Sequence, residues 1–227
     1  MNLDEARSNM IEQQVRTWEV LDQRALDALA NVPREAFVPP ARRGVAYSDF
    51  ALPIGHGQRM FKPVLDGRIL QAVELDPTET VLEIGTGSGY LAACLGRLGR
   101  RVDTVEIVPE LAAAAAARLG ALAIGNVSVH TGDAAGGPGV LGEAGAEGVR
   151  WDAIVFGGSV GEVPAAWRER LAVGGCLFAI VGDESAPTME AMLLTRADED
   201  DWIEESLFET SVPPLAGFAR PPARFVF

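Results

Sequence analysis

Three alternating glycines come directly after a short apolar strand pattern, and this junction constrains the fold more than any other segment. The sequence reads Thr80-Val-Leu-Glu-Ile-Gly-Thr-Gly-Ser-Gly89-Tyr, and a helical pattern begins at Tyr90. Glycines at 85, 87 and 89 let the backbone turn tightly and approach a ligand with no Cβ in the way. The segment therefore predicts a ligand-binding turn between a buried strand and a helix.

The chain after Pro63 alternates short β-rich segments with helical ones, as parallel strands joined by crossover helices do. Strands are predicted at Thr80–Ile84, Arg101–Glu106, Val127–His130, Asp152–Phe156 and Cys176–Val181. Helices are predicted near Val64–Val73, Tyr90–Leu98, Pro109–Leu119 and Pro164–Ala172. Two last strands, Glu190–Arg196 and Trp202–Thr210, predict a closing antiparallel hairpin. The predicted fold class is α/β, a Rossmann-like, doubly wound, mostly parallel sheet.

The chain before Pro63 has a different character. Two short helices are predicted between Asp4 and about Leu29, followed by a Pro- and Gly-rich loop from Val32 to Pro63. A loop this long is usually functional. A second loop is predicted at Ala134–Val149. We expect residues 1–63 to form an extension to a ligand-binding domain, residues 64–227, in one compact unit.

Composition excludes several classes of function. The 227 residues carry 19 basic and 32 acidic side chains, a net charge of −13, and Lys62 is the only lysine. Such a surface repels phosphate backbones and anionic lipids, so nucleic acid and membranes are not expected partners. Only two cysteines occur, and no metal site is expected. With no secretory signal and no 18-residue apolar segment, a cytoplasmic protein is expected.

Acidic residues near the ends of three strands indicate which ligand the turn binds. Glu83 precedes the glycines, and Glu106 ends the second strand, where a carboxylate accepts the hydroxyls of a ribose. Asp133 follows the third strand. The G-x-G-x-G spacing departs from the dinucleotide fingerprint G-x-G-x-x-G. Three acids also suit a positive sulfonium better than a pyrophosphate, which favours S-adenosylmethionine over NAD.

Longer motifs extend this interpretation to nearly the whole chain. The segments VLEIGTGSGY, VDTVEIVPELA, NVSVHTGDA and WDAIVFGGSVGEVP resemble the successive motifs of class I S-adenosylmethionine-dependent methyltransferases. With VPREAFVP, AYSDFALPIGHGQ, RLAVGGCL and VPPLAG, the chain resembles the protein-L-isoaspartate O-methyltransferase family. That resemblance implies methylation of L-isoaspartyl carboxylates in damaged proteins or peptides. The expected cofactor-binding residues are Glu83, Gly85, Thr86, Gly87, Ser88, Gly89, Glu106, Asp133 and Ala134.

One segment departs from the family pattern. The family loop resembles GQTISQP, with a threonine and a serine near the methyl acceptor, whereas here the loop from Gly57 to Pro63 reads GQRMFKP. Arg59 stands at the threonine position and Phe61 at the serine position. The acceptor loop is expected to comprise Gln58, Arg59, Met60, Phe61 and Asp66. We hypothesise that Arg59 acts in catalysis by pairing with an acidic acceptor; the alternative is a solvated arginine.

The altered loop leaves other functions open at this point. One is a related methyltransferase acting on a different carboxylate or a small acidic molecule. Another is a non-catalytic or NAD-type nucleotide-binding module. The transfer itself needs no general base, because a carboxylate with a pKa of about 4 is already ionised at neutral pH.

Overall fold

A computed structural model describes residues 2–182 and 188–218. Helix α1, Leu3–Met10, begins at Asn2, whose side-chain oxygen accepts hydrogen bonds from the N–H groups of the first turn. It continues through a π-helical turn, Ile11–Val15, and a 3-10 turn, Arg16–Trp18. Helix α2, Gln23–Asn31, is capped by the Asp22 carboxylate. The two predicted helices are therefore present, but the first is longer and irregular.

The predicted loop from Val32 to Pro63 contains regular structure, so that prediction was wrong in part. Strands β1, Leu52–Gly55, and β2, Gln58–Met60, form an antiparallel hairpin. His56 and Gly57 connect them with φ angles of 51° and 75°. Strands of four and three residues are too short to show a period-two pattern, which is why the sequence did not reveal them.

The main sheet has seven strands, and it confirms the predicted fold class. Along the chain come α3 (Pro63–Val73), β3 (Thr80–Ile84), α4 (Tyr90–Leu98), β4 (Arg101–Glu106), α5 (Pro109–Ala121), β5 (Val127–Thr131), β6 (Trp151–Val160), α6 (Ala165–Arg168), β7 (Leu171–Val181), β8 (Met189–Arg196) and β9 (Trp202–Thr210). The spatial order is β5-β4-β3-β6-β7-β8-β9. The first five strands in this order are mutually parallel, and β8 and β9 add the antiparallel hairpin.

Several predicted boundaries were wrong, among them the start of β7, which the structure places at Leu171 instead of Cys176. Strand β6 runs to Val160 instead of Phe156, because its end bonds to a distant segment: the N–H of Ser159 donates to Pro213 and the N–H of Leu215 donates to Ser159. Helix α6 covers only Ala165–Arg168, because Leu171 already pairs with Trp151 in the sheet. The predicted loop Ala134–Val149 contains 3-10 turns at Ala134–Gly136 and Pro138–Gly145.

The sheet is buried between two apolar layers. One layer joins N-terminal residues such as Met10 and Leu29 to α3, α4 and one face of β3 and β4 in a single buried cluster. The other collects Leu82, Phe156 and Trp167. The N-terminal extension and the sheet thus share one core. Among the described residues, none of the helices has the length and apolarity required to span a membrane.

Candidate active site

The glycine turn lies at the carboxyl end of β3, where parallel sheets bind ligands. Gly85, Gly87 and Gly89 have φ angles of 99°, 51° and 85°, a region that favours glycine. A Cβ on Gly85 would lie 2.5 Å from Cδ2 of Leu215. The N–H of Gly85 donates to the Val105 carbonyl at 2.9 Å, which fixes the turn against β4. Glycine at position 85 is therefore required by both conformation and space.

Glu106 lies beside this turn, at the end of β4. Its Oε2 accepts from the N–H of Gly87 at 2.7 Å and its Oε1 from the N–H of Val108 at 3.0 Å. The residue is buried. Each carboxylate oxygen keeps a further lone pair for another donor. The main chain thus holds Glu106 in one orientation, at the edge of an open cavity.

That cavity, called here the cofactor cavity, connects several parts of the chain. It is lined by the hairpin residues Ile54, Gln58 and Arg59, by Gly85, Gly87, Glu106 and Ile107, by Gly132, Ala134 and Gly157, and by Leu215, Ala216 and Phe218. The C-terminal residues form one wall, where the Phe218 ring packs edge-on against Phe156 at 5.8 Å between centroids. Leu215 and Ala216 lie in the segment VPPLAG, which contributes to the family resemblance but contains no predicted site residue, because its residue types do not indicate a ligand.

Several predicted cofactor residues have other contacts. The Thr86 hydroxyl bonds to the Thr104 hydroxyl at 2.7 Å, and the Ser88 hydroxyl accepts from the N–H of Tyr90 at 3.2 Å. Asp133 is exposed, and its Oδ1 accepts from the N–H of Ala135 at 2.9 Å, which caps the following 3-10 turn. These side chains stabilise the loops, while Ala134 lies in the cavity wall. A direct cofactor contact for Thr86, Ser88 and Asp133 stays a prediction.

Glu83 lines a smaller cavity, together with Arg59, Met60, Phe61, Asp66 and the glycine turn. It is fully buried, and its carboxylate accepts a hydrogen bond from Thr104. Burial raises the pKa of Glu83 to about 8, against an ordinary value of 4.5. Glu83 is therefore predominantly protonated at neutral pH and adds little negative charge to the site.

A buried ion pair supports the acceptor loop, and one of its members was not among the predicted site residues. Arg34, from the segment VPREAFVP, is fully buried and pairs with Asp66 at the start of α3. It also donates to the carbonyls of Ala46, at 2.9 Å, and Phe61. Its guanidinium lies over the Tyr90 ring, 4.7 Å from the centroid. Burial raises the pKa of Asp66 to about 6, and Arg34 opposes that shift. The one sequence feature that could have indicated Arg34 is its position among the apolar residues of the segment VPREAFVP.

Arg59 is the one residue of the acceptor loop that lines the cofactor cavity, the smaller cavity beside Glu83 and a third, larger cavity next to the hairpin. It is exposed on β2, opposite Pro53, and its Nη1 donates to the Ala51 carbonyl at 3.4 Å. Within residues 2–182 and 188–218 it forms no ion pair. The structure therefore brings Arg59, Met60, Phe61 and Asp66 together, with Gln58 on the side of the cofactor cavity.

Comparison with known proteins connects this site to one family. The family model of protein-L-isoaspartate(D-aspartate) O-methyltransferase matches residues 5–216. A protein-L-isoaspartate O-methyltransferase 1 of Rhodopseudomonas palustris (strain HaA2) is 41% identical over 93% of this chain and 83% of its own length. A protein-L-isoaspartate O-methyltransferase of Roseiflexus castenholzii is 42% identical over 96% of this chain and 94% of its own.

Solved structures give the same result for the fold. A protein-L-isoaspartate O-methyltransferase structure superposes with a TM-score of 0.76 at 25% identity, covering 93% of this chain and 66% of that one. A structure described as a putative protein-L-isoaspartate O-methyltransferase from Plasmodium falciparum, in complex with S-adenosyl-L-homocysteine, has a TM-score of 0.78 at 20% identity. The superposition covers 98% of that chain and 95% of this one. These matches do not favour the NAD-type or non-catalytic alternatives.

Proposed function

Because the chain belongs to the protein-L-isoaspartate O-methyltransferase family, we propose that it methylates the carboxylate of L-isoaspartyl residues in proteins or peptides. It is an S-adenosylmethionine-dependent methyltransferase. The observation that carries the proposal is that two sites line one cavity. One site is the glycine turn with Glu106, and the other is the hairpin with Arg59. A donor on the first site would thus lie next to an acceptor on the second.

The residues of the cofactor cavity fit S-adenosylmethionine. Gly85 and Gly87 leave room for close approach, and a Cβ at Gly85 would meet Leu215. Glu106 has both oxygens fixed by main-chain N–H groups and can accept from ribose hydroxyls. Ile107 and Ala134 supply apolar walls. When bound, S-adenosylmethionine supplies an electrophilic methyl group on a positive sulfur.

The chain's own contribution is placement and exclusion of water. An acceptor carboxylate is already ionised at neutral pH, so no residue needs to remove a proton. We assign Met60 and Phe61 the role of apolar walls, which strengthen electrostatic attraction in the site. Because Glu83 is protonated, it does not repel the acceptor carboxylate, and the charge of Asp66 is balanced by Arg34. Near-attack placement then supplies much of the rate enhancement.

Arg59 is proposed to hold the acceptor carboxylate. A guanidinium presents a planar fork that matches both carboxylate oxygens. Its only hydrogen-bond acceptor among the described residues is the Ala51 carbonyl, at 3.4 Å. The remaining N–H groups are thus free for an acceptor. This assignment explains how a loop without hydroxyl groups can still bind an isoaspartyl residue.

Radiolabelled methyl transfer tests the proposed function directly. We expect base-labile label on a peptide containing one L-isoaspartyl residue, and none on the matched peptide with a normal aspartyl residue. Label on neither peptide, or equal label on both, would contradict the proposal.

We also propose a cytoplasmic site of action, because both cysteines, Cys94 and Cys176, are free.

A further inference from the structure

A larger cavity lies beside the hairpin, and the proposed reaction does not use most of it. It has a volume of about 300 Å³ and shares Arg59 with the cofactor cavity. We call it the cationic groove and define it by Trp18, Arg59, Lys62, Arg68 and Phe208. It brings together the end of the N-terminal helical segment, the loop before α3, α3 itself and strand β9.

The charge of the groove is opposite to that of the molecule. Three cations line it, and two carboxylates, those of Asp49 and Glu209, line it as well. The balance is positive in a chain of net charge −13 whose only lysine, Lys62, lies here. A locally positive groove on an acidic protein attracts anionic groups and repels cationic ones.

Among the described residues, none of the three cations forms an ion pair with a carboxylate. In the part of the chain that the structure describes, five arginines outside the groove pair with Asp or Glu, but Arg59, Lys62 and Arg68 do not. Arg68 instead donates to the Trp18 carbonyl at 3.1 Å and lies over the Phe208 ring, 4.3 Å from its centroid. A carbonyl and a ring orient this guanidinium without cancelling its charge.

The apolar part of the groove suits an extended peptide. The Trp18 side chain is 59% exposed at its rim, an unusual state for a residue that proteins usually bury. Phe208 is half-buried on the opposite element. Aromatic surface with flanking cations can contact the backbone and apolar atoms of a peptide while the cations pair with its acidic side chains.

Resting on the proposed function, we propose that the cationic groove binds the residues flanking the isoaspartyl residue and selects acidic ones. Lys62 and Arg68 pair with the flanking carboxylates, and Arg59 holds the carboxylate that is methylated. The occupant is thus an acidic peptide segment. Since Lys62 is exposed, its pairing is sensitive to salt and changes affinity by up to about fivefold, so that Lys62 and Arg68 together change it by about threefold to tenfold.

The test is calorimetric binding of three peptides in the presence of S-adenosylhomocysteine. The peptides share one isoaspartyl residue and differ only in flanking Glu, Gln or Lys. Wild-type protein should bind the Glu peptide about threefold to tenfold more tightly than the Gln peptide, and the Lys peptide most weakly. The preference should shrink at 0.5 M salt. Lys62→Glu should reverse the order.

Two comparisons keep the result interpretable. Lys62 precedes the first turn of α3, where a carboxylate is compatible with the helix dipole, so Lys62→Glu should fold. Arg97→Glu makes the same charge change on an exposed residue at the far end of α4, away from the carboxyl edge of the sheet, and should leave the preference intact.

The outcomes separate the two proposals. Equal affinity for the three peptides, or an unchanged order in Lys62→Glu, would overturn the assignment of the groove. Methyl transfer to the Gln peptide by wild-type protein is measured in parallel and reports on the function alone. Selective binding without methyl transfer would overturn the proposed function and leave the groove as an acidic-peptide site.

Discussion

At the scale of single residues, the site works by controlling which charges are present. Glu83 and Asp66 are both buried beside the acceptor loop, yet one is protonated at neutral pH and the other is paired with Arg34. Among the described residues, Arg59 is the cation that lines this cavity, and we propose that an anionic acceptor meets its charge. This arrangement fits a reaction whose acceptor arrives already ionised.

Removing the Arg59 guanidinium should weaken acceptor use. Arg59→Ala is expected to lower kcat/KM for an isoaspartyl peptide about 10- to 100-fold, because a charge-assisted hydrogen bond contributes about 1.5–3 kcal/mol. Arg59→Lys keeps the charge but loses the fork, and should recover only part of the loss. S-adenosylhomocysteine affinity should change far less. A wild-type rate in Arg59→Ala would refute the assignment.

The Glu83 proton should make stability depend on pH. The folded state keeps this proton up to about pH 8, whereas the unfolded chain releases it near 4.5. The stabilisation is thus fully present below pH 4.5 and is lost as the pH rises through about 8. Glu83→Gln carries no such proton. Between pH 6 and 9 the free energy of unfolding of the wild type should fall relative to that of the variant by about 2–3 kcal/mol, at about 1.4 kcal/mol per pKa unit, and the wild-type Tm should fall with it.

Thermal unfolding of the two proteins, followed by circular dichroism at pH 6, 7, 8 and 9, measures this difference. A Tm difference that stays constant across that range would show that Glu83 has an ordinary pKa in the folded protein.

At the scale of elements, the site depends on turns whose geometry is fixed by their contacts. The glycine turn is held by hydrogen bonds to Val105 and Glu106, and the hairpin by Arg34 through the Phe61 carbonyl. Both supports come from elements distant in sequence. Substitutions in the turn or in its support should therefore change the site without altering the sheet order.

Gly85→Ala tests the turn. A Cβ at φ 99° would lie 2.5 Å from Leu215, so we expect a loss of about 1–2 kcal/mol in stability and at least tenfold weaker S-adenosylhomocysteine binding. Gly120→Ala is the matched control, because its Cβ would meet nothing within 4 Å inside helix α5. It should raise stability by about 0.5–1 kcal/mol and leave binding unchanged. Calorimetric titration and urea unfolding measure both effects.

The Arg34–Asp66 pair should show strong coupling. Arg34→Met leaves Asp66 buried without its cation, which costs about 3–5 kcal/mol. Adding Asp66→Leu removes the stranded carboxyl group, so the double variant should regain more than half of that loss. Urea unfolding of the two single variants and the double variant gives the coupling energy. Strictly additive losses would show that the two side chains act independently.

Local patterns predicted most of the elements and part of the site. The strands β3 and β4 and the glycine turn were predicted correctly because periodicity and glycine chemistry are local signals. The extension of β6 could not be predicted, since its partner is near Pro213. Arg34 was missed for a similar reason: its role depends on Asp66, Ala46 and Phe61, which only the fold brings together.

At the scale of the whole molecule, the N-terminal extension and the sheet have a common core. Leu29, Phe37 and Val15 belong to the same buried cluster as Val81 and Leu95. Helix α2 packs against α3 and α4, the helix that follows the glycine turn. We therefore expect the chain before residue 63 and the chain after it to unfold together.

Differential scanning calorimetry should show one transition with equal calorimetric and van't Hoff enthalpies. Leu29→Ala, in the extension, should lower the Tm of this single transition, because it removes about 2–5 kcal/mol of stability. Because the Tm of a domain of this size changes by about 2–4 °C for each kcal/mol of stability, the effect is easily measured. Two resolved transitions, only one of them sensitive to Leu29→Ala, would show that the parts are separate domains.

The cavity wall formed by Leu215, Ala216 and Phe218 has a consequence for biosynthesis. A ribosome that has translated as far as Ala134 has already produced the glycine turn and Glu106, but this wall is still missing. Strand β6 also lacks the partner that it meets at Pro213 and Leu215. We therefore expect the nascent chain to bind the cofactor only after some eighty further residues have been added, too late for the cofactor to act as a folding template.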